Sequence, residues 1–129
     1  MKSAAERLLV KPGARVRIVG DEPGSADRLG PLPVGSMLVA AGAADAVVLF
    51  ARSSDAVTRQ LPEAARAAGP DGLLWLAYPK GTSGVKTDLG RDSMTALTDR
   101  VAGLTGVTLV SIDDTWSAMR LRPSERYRT

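Results

Sequence analysis

Neither cysteine nor histidine occurs in this chain of 129 residues. The first absence removes disulfides, thiolate nucleophiles and Cys-ligated zinc. The second removes the commonest general base near neutral pH and the commonest metal ligand. Any catalysis must use carboxylates, lysine, tyrosine or hydroxyls, or rest on positioning alone, and no metal site is expected. Aromatic residues are scarce: two Trp, two Tyr and one Phe. No apolar run approaches the length of a membrane span. Leu8-Leu9-Val10, closed by Lys11-Pro12-Gly13, is too short for a signal-peptide core, so a cytoplasmic protein with no membrane partner is expected. A one-sided charge is missing as well. The net charge of +3 arises in residues 120–129, where Arg120, Arg122, Arg126 and Arg128 outnumber Glu125, and the rest of the chain is balanced. Tyr127 alone is interleaved there, too little for a nucleic-acid partner. Residues 2–122 are expected to form one domain and 123–129 a basic tail.

What is present is an alternation of strands and helices. Ser3 with Glu6 reads as a capping box for a short helix over 3–10. Arg15–Val19 reads as a first strand, and Ser25 or Asp27 as the cap of a brief helix ending near Gly30-Pro31. Ser36–Ala40 reads as a second strand, and the wholly apolar Ala46–Phe50 as a third, buried on both faces. Ser53 or Ser54 caps a helix carrying Val57, Leu61, Ala64, Ala65 and Ala68 on one stripe, with Pro62 kinking it or starting a second helix. Leu73–Tyr78 is a fourth strand. A helix opening at Asp92 or Ser93 and strands over Val107–Ile112 and Thr115–Leu121 follow, the last two joined by a tight Asp113-Asp114 turn. The expected fold is a three-layer α/β domain with a mostly parallel, Rossmann-like sheet of about six strands ending in an antiparallel hairpin. Arg15–Val19 and Ala46–Phe50 should be adjacent central parallel strands.

Two loops carry the candidate site residues. Lys80, Gly81, Thr82, Ser83, Gly84, Lys86 and Asp88 follow the fourth strand, where two lysines, backbone N–H groups and hydroxyls offer a small anionic ligand a seat. Asp88 reads as a partner of Lys80 or Lys86, a base, or a loop or cap residue. Trp116, beside the Asp113-Asp114 turn, is a core residue or a pocket wall whose indole N–H needs a partner when buried. The second loop, Gly20-Asp21-Glu22-Pro23-Gly24, follows the first strand. The two loops are expected side by side at the carboxyl edge of the sheet. No residue is singled out as catalytic.

The segment Val16-Arg17-Ile18-Val19-Gly20-Asp21-Glu22-Pro23-Gly24, the order of elements and the final hairpin resemble a class I methyltransferase domain shortened by about one β-α unit. Lys11-Pro12-Gly13, Leu29-Gly30-Pro31-Leu32-Pro33, the segment from Trp75 to Leu89 and that from Val110 to Ala118 resemble a family of small bacterial domains of unknown function. The methyltransferase resemblance makes Gly20, Asp21, Glu22 and Gly24 the positions facing S-adenosylmethionine (SAM). It also implies acidic ligands where Ile18 and Val39-Ala40-Ala41-Gly42 stand, and a polar-Pro-Pro-aromatic run where Phe50-Ala51-Arg52-Ser53 stands. With Glu22 between the outer glycines, its charge set against the cofactor's carboxylate, SAM is expected not to bind measurably and no cofactor is expected. The corresponding functional expectation is a protein without methyltransferase activity that acts through protein contacts or weak ligand binding, with a homodimer as one arrangement. The alternatives are an enzyme or sensor taking a small anion or nucleotide at the Lys80–Lys86 loop, and a SAM-dependent methyltransferase.

Overall fold

The computed structural model describes residues 2–20 and 22–127. Six strands, β1 (Arg15–Val19), β2 (Met37–Leu38), β3 (Ala46–Phe50), β4 (Leu73–Pro79), β5 (Leu104–Ser111) and β6 (Trp116–Pro123), form one sheet in the order β2-β1-β3-β4-β6-β5. β1 pairs in parallel with β2 and β3, and β3 with β4. β6 runs antiparallel between β4 and β5. The ends of β1, β3, β4 and β5 and the start of β6 therefore share one edge, the carboxyl edge, where α/β folds build their sites.

Alternation along the strands makes two cores. Val47, Leu49, Leu74, Leu76, Met119 and Leu121 face α3 (Ser54–Ala68) and α4 (Arg91–Ala102), which contribute Val57, Leu61, Met94 and Leu97. Val16, Val48, Phe50, Trp75, Trp116 and Ala118 face the other way, toward Ala5 and Leu8 of the α1 region (Ala4–Arg7) and Leu29 at the end of α2 (Ser25–Arg28). All five residues of β3 are buried, as its unbroken apolar run requires. The helices that cover the second face, α1 and α2, have only four residues each. The polar side chains of that face consequently come to matter at the carboxyl edge.

Local chemistry sets most element boundaries. Ser3 and Glu6 make the expected capping box, and Ser53 Oγ accepts the Ala56 N–H at the start of α3. α3 continues through Pro62 as one helix, so Pro62 does not begin a second. β5 begins three residues earlier than Val107, and its pairing with β6 is irregular between Gly106 and Thr108. The hairpin connection spans Ile112 to Thr115, wider than a two-residue turn. Asp113 Oδ1 accepts the N–H groups of Thr115 and Trp116, both at 2.8 Å, which closes it.

Candidate functional site at the carboxyl edge

The backbone at the end of β1 is the first constraint. Gly20 has φ +113°, and a Cβ there would lie 2.4 Å from the carbonyl oxygen of Phe50 on the neighbouring strand. Only glycine lets the two strand ends approach so closely. Gly24 precedes α2 in the left-handed conformation, with open space around it. Asp21 lies outside the described residues.

Between these glycines, Glu22 is not a bare charge. Arg52, just past β3, donates from Nε to Glu22 Oε2 at 2.7 Å and from Nη2 to Oε1. The carboxylate is largely covered, with 9% of the Glu22 side chain exposed against 50% of Arg52. The Arg52 hydrogen bond holds the Glu22 carboxyl below its ordinary pKa, against the upward push of burial. Arg52 also joins the neighbouring loop, because its carbonyl accepts the Thr87 hydroxyl at 2.6 Å. The two candidate loops are thus not side by side. β3 and Arg52 stand between them and tie them together.

Trp116 is fully buried beneath this pair. Phe50 meets its ring edge-on, with centroids 5.2 Å apart. Two guanidiniums also reach it, Arg28 at 5.6 Å and Arg52 at 5.7 Å from the ring centroid. Arg28 Nη1 donates to Asp113 Oδ2 at 2.8 Å. Burial pushes the Asp113 carboxyl up, but the N–H groups of Trp116 and Thr115 and the Arg28 guanidinium outweigh it and hold the pKa below the ordinary range. Two ion pairs, Glu22–Arg52 and Asp113–Arg28, therefore border one indole ring.

The loop after β4 is more self-contained than its composition implies. Gly81–Ser83 form a 3-10 turn between Lys80 and a left-handed Gly84. Ser83 Oγ donates to the Lys80 carbonyl at 2.7 Å and accepts from Val85 N–H, and Thr82 is exposed. Lys80 Nζ donates to Ser111 Oγ at 2.7 Å, while Lys86 is exposed and has no ion-pair partner among the described residues. Asp88 pairs with neither lysine. It accepts the N–H and the hydroxyl of Ser54, at 2.8 and 2.6 Å, and anchors the loop to the first turn of α3. The Ser54 hydroxyl lowers its pKa most, followed by the Ser54 N–H.

Sequence reasoning passed over Arg28 and Arg52 as site residues. The available signal was position: Arg52 follows a buried parallel strand at its carboxyl end, where side chains face any ligand. Among the described residues no group of three metal-ligating side chains forms, and no helix is long and apolar enough to cross a membrane.

The lowered pKa values carry a sign. Glu22 and Asp113 have folded values below their unfolded ones, so their contribution is present above the unfolded carboxyl range and disappears as pH falls through the folded values. The melting temperature should therefore be insensitive to pH near neutrality and fall below about pH 4. Glu22→Gln should flatten that acid limb, by no more than about 1 kcal/mol given the exposure of Arg52. An unchanged limb in the variant would show that the pair does not titrate with folding.

No protein-family model matches the sequence, and no curated protein does. Solved structures do resemble it. An O-methyltransferase from neocarzinostatin biosynthesis, in complex with SAM and 2-hydroxy-5-methyl naphthoic acid, is similar over 95% of this chain at 14% identity and a TM-score of 0.63. The matched region is 50% of that protein, so this chain spans half its length. The DhpI–SAH complex is similar over 93% of this chain and 82% of its own, at 13% identity and a TM-score of 0.58. A SAM-dependent methyltransferase from Aquifex aeolicus is similar over 92% of this chain and 89% of its own, at 12% identity and a TM-score of 0.51. These likenesses correct two expectations. One is that of a protein without methyl transfer, acting by contacts or weak ligand binding, and the other is that SAM does not bind. The structures it resembles are those of methyltransferases and of SAM or SAH complexes. The physical premise also fails, since Arg52 neutralises the Glu22 charge that was to repel the cofactor. At these identities the likeness establishes a methyltransferase-like Rossmann fold.

Proposed function

We propose that this chain binds S-adenosylmethionine at the carboxyl edge of β1 and β3 and transfers its methyl group to a small acceptor. The observation that carries this reading is the Glu22–Arg52 pair, set on the fold shared with the complexes above. The amino-acid end of SAM is a zwitterion, with an ammonium and a carboxylate on one carbon. A held carboxylate and guanidinium side by side present the complementary charges. The residues fit the group: Glu22 for the ammonium, Arg52 for the carboxylate, and the Gly20 backbone for close approach. The segment Val39 to Gly42 brings no carboxylate to the ribose, so the amino-acid end has the stronger side-chain partners.

When bound, SAM supplies a methyl group on a cationic sulfur that is displaced without a metal or an enzyme nucleophile. A chain without Cys or His is therefore equipped for this reaction, provided it aligns the reactants. Phe50 and Trp116 supply an apolar floor that excludes water. Glu22 and Asp113 are held ionised with lowered pKa values, which makes them weak bases. That favours an acceptor that arrives with its nucleophilic atom already ionised or uncharged and unprotonated. A bacterial setting goes with this reading, one of the similar structures being a SAM-dependent methyltransferase from Aquifex aeolicus. A cytoplasmic location is the matching proposal, the described residues having no helix able to cross a membrane.

Calorimetry tests this directly. SAM and its demethylated product should bind with Kd values of about 10–100 µM. Arg52→Ala should weaken both about tenfold or more, since it leaves the cofactor carboxylate unpaired and Glu22 uncompensated. Absence of binding at millimolar SAM, or full affinity in Arg52→Ala, overturns the reading.

A further inference from the structure

Among the described residues, four buried side-chain polar atoms lack a hydrogen-bond partner: Arg28 Nε, Trp116 Nε1, Arg120 Nε and Ser124 Oγ. Two of them belong to one cluster. Arg28 and Trp116 are in contact at the carboxyl edge, guanidinium carbon to ring centroid 5.6 Å. Both orphans are N–H groups that donate and cannot accept. Buried N–H groups are rarely left unpaired, and each such case calls for an explanation.

The chain contains its own control. Trp75 is as deeply buried on the same face of the sheet, and its Nε1 donates to the Leu8 carbonyl at 3.0 Å. A purely structural indole is satisfied in this fold, and the one at the carboxyl edge is not. Both donor atoms lie below the surface, next to side chains that reach it: 31% of the Arg28 side chain and 34% of Asp113 are exposed. Asp113 is also held without Arg28, since its Oδ1 takes two backbone N–H groups. Arg28 can accordingly meet a second carboxylate through Nε while its Nη1 stays on Asp113.

We propose that the methyl acceptor is a carboxylate-bearing compound, its carboxylate received by Arg28 Nε and Trp116 Nε1. This rests on the methyltransferase reading and assigns the substrate class of the same site. Two donors with no acceptor of their own select an oxygen that only accepts. The cationic partner selects a charged oxygen over an amide carbonyl.

The test uses the full chain, benzoate as probe and benzamide as its neutral counterpart, at constant ionic strength. Tryptophan fluorescence and thermal shift are the readouts. Benzoate should raise the melting temperature and perturb the fluorescence, and benzamide should do neither. Trp116→Phe removes one N–H and keeps an aromatic ring. It should bind benzoate about tenfold more weakly while the unliganded protein melts no lower than its packing loss requires. Arg28→Lys, which keeps the charge and removes Nε–H at a partly exposed position, should lose the same affinity. The proposal is overturned if benzoate and benzamide behave alike, if neither acts, or if both variants bind benzoate like the parent. Competition of benzoate by SAM overturns it too, because the donors would then serve the cofactor's own carboxylate. SAM binding without benzoate binding defeats this inference alone. Benzoate binding without SAM binding leaves a carboxylate site and defeats the methyltransferase reading.

Discussion

Replacing Trp116 by Ala should cost about 3–5 kcal/mol of folding free energy, read as a fall of roughly 10–20 °C in melting temperature for a domain of this size. The ring is fully buried at the start of β6, edge-on to Phe50 and in reach of the guanidiniums of Arg28 and Arg52. Its removal leaves a cavity whose lining is strand backbone on one side and two ion-paired arginines on the other. Neither can collapse without breaking a pair or the β4–β6 register, in which Trp116 opposes Pro79. Circular dichroism melts check the loss. Trp116→Phe should retain most of the stability, since it keeps a ring against Phe50 and removes an unpaired donor. A loss under about 1 kcal/mol in the alanine variant would mean that the ring is not packed in solution as described.

Gly20→Ala should be severely damaging for a single added methyl group, at about 3 kcal/mol or more. Its φ of +113° lies outside the range that a side chain tolerates, and the added Cβ would stand 2.4 Å from the Phe50 carbonyl oxygen. That oxygen belongs to the backbone of a central strand, so it cannot swing aside as a flexible side chain would. Relief requires parting the ends of β1 and β3, where Glu22 and Arg52 also meet. SAM affinity should therefore fall along with stability. Gly24→Ala is the comparison. It too has a positive φ, but no atom lies within 4 Å of its added Cβ. The penalty there is conformational alone, about 1–2 kcal/mol. Equal losses in chemical denaturation would show that the close approach of the strands is not what holds Gly20.

The elements and the two-sided core were legible because they are written in local patterns. Arg15–Val19 and Ala46–Phe50 appear in the structure with the bounds that their apolar patterns predict. Ser3 and Ser53 cap where a hydroxyl precedes a helical stripe. Such signals act over three or four residues of chain. The adjacency of β1 and β3 follows from their apolar character and the doubly wound order, and needs no contact to be known.

The site was legible only in part. Gly20 and Glu22 were marked by their place after β1. Glu22 reads as a bare repulsive charge in the sequence because the partner that makes it half of an ion pair lies 30 residues away. Arg28 and Asp113 are 85 residues apart, and Asp88 finds Ser54 across 34 residues in place of the nearby lysines. Pairings of this kind have no periodicity. They are set by which loops the strand order brings to one edge, and by which face of the sheet the short helices leave thinly covered. The chain by itself therefore determined strands, caps and layers, each a matter of backbone propensity and burial over a few residues. The tertiary structure alone decided the charge state of the site and left two buried donors unanswered, because electrostatic partners are chosen through space.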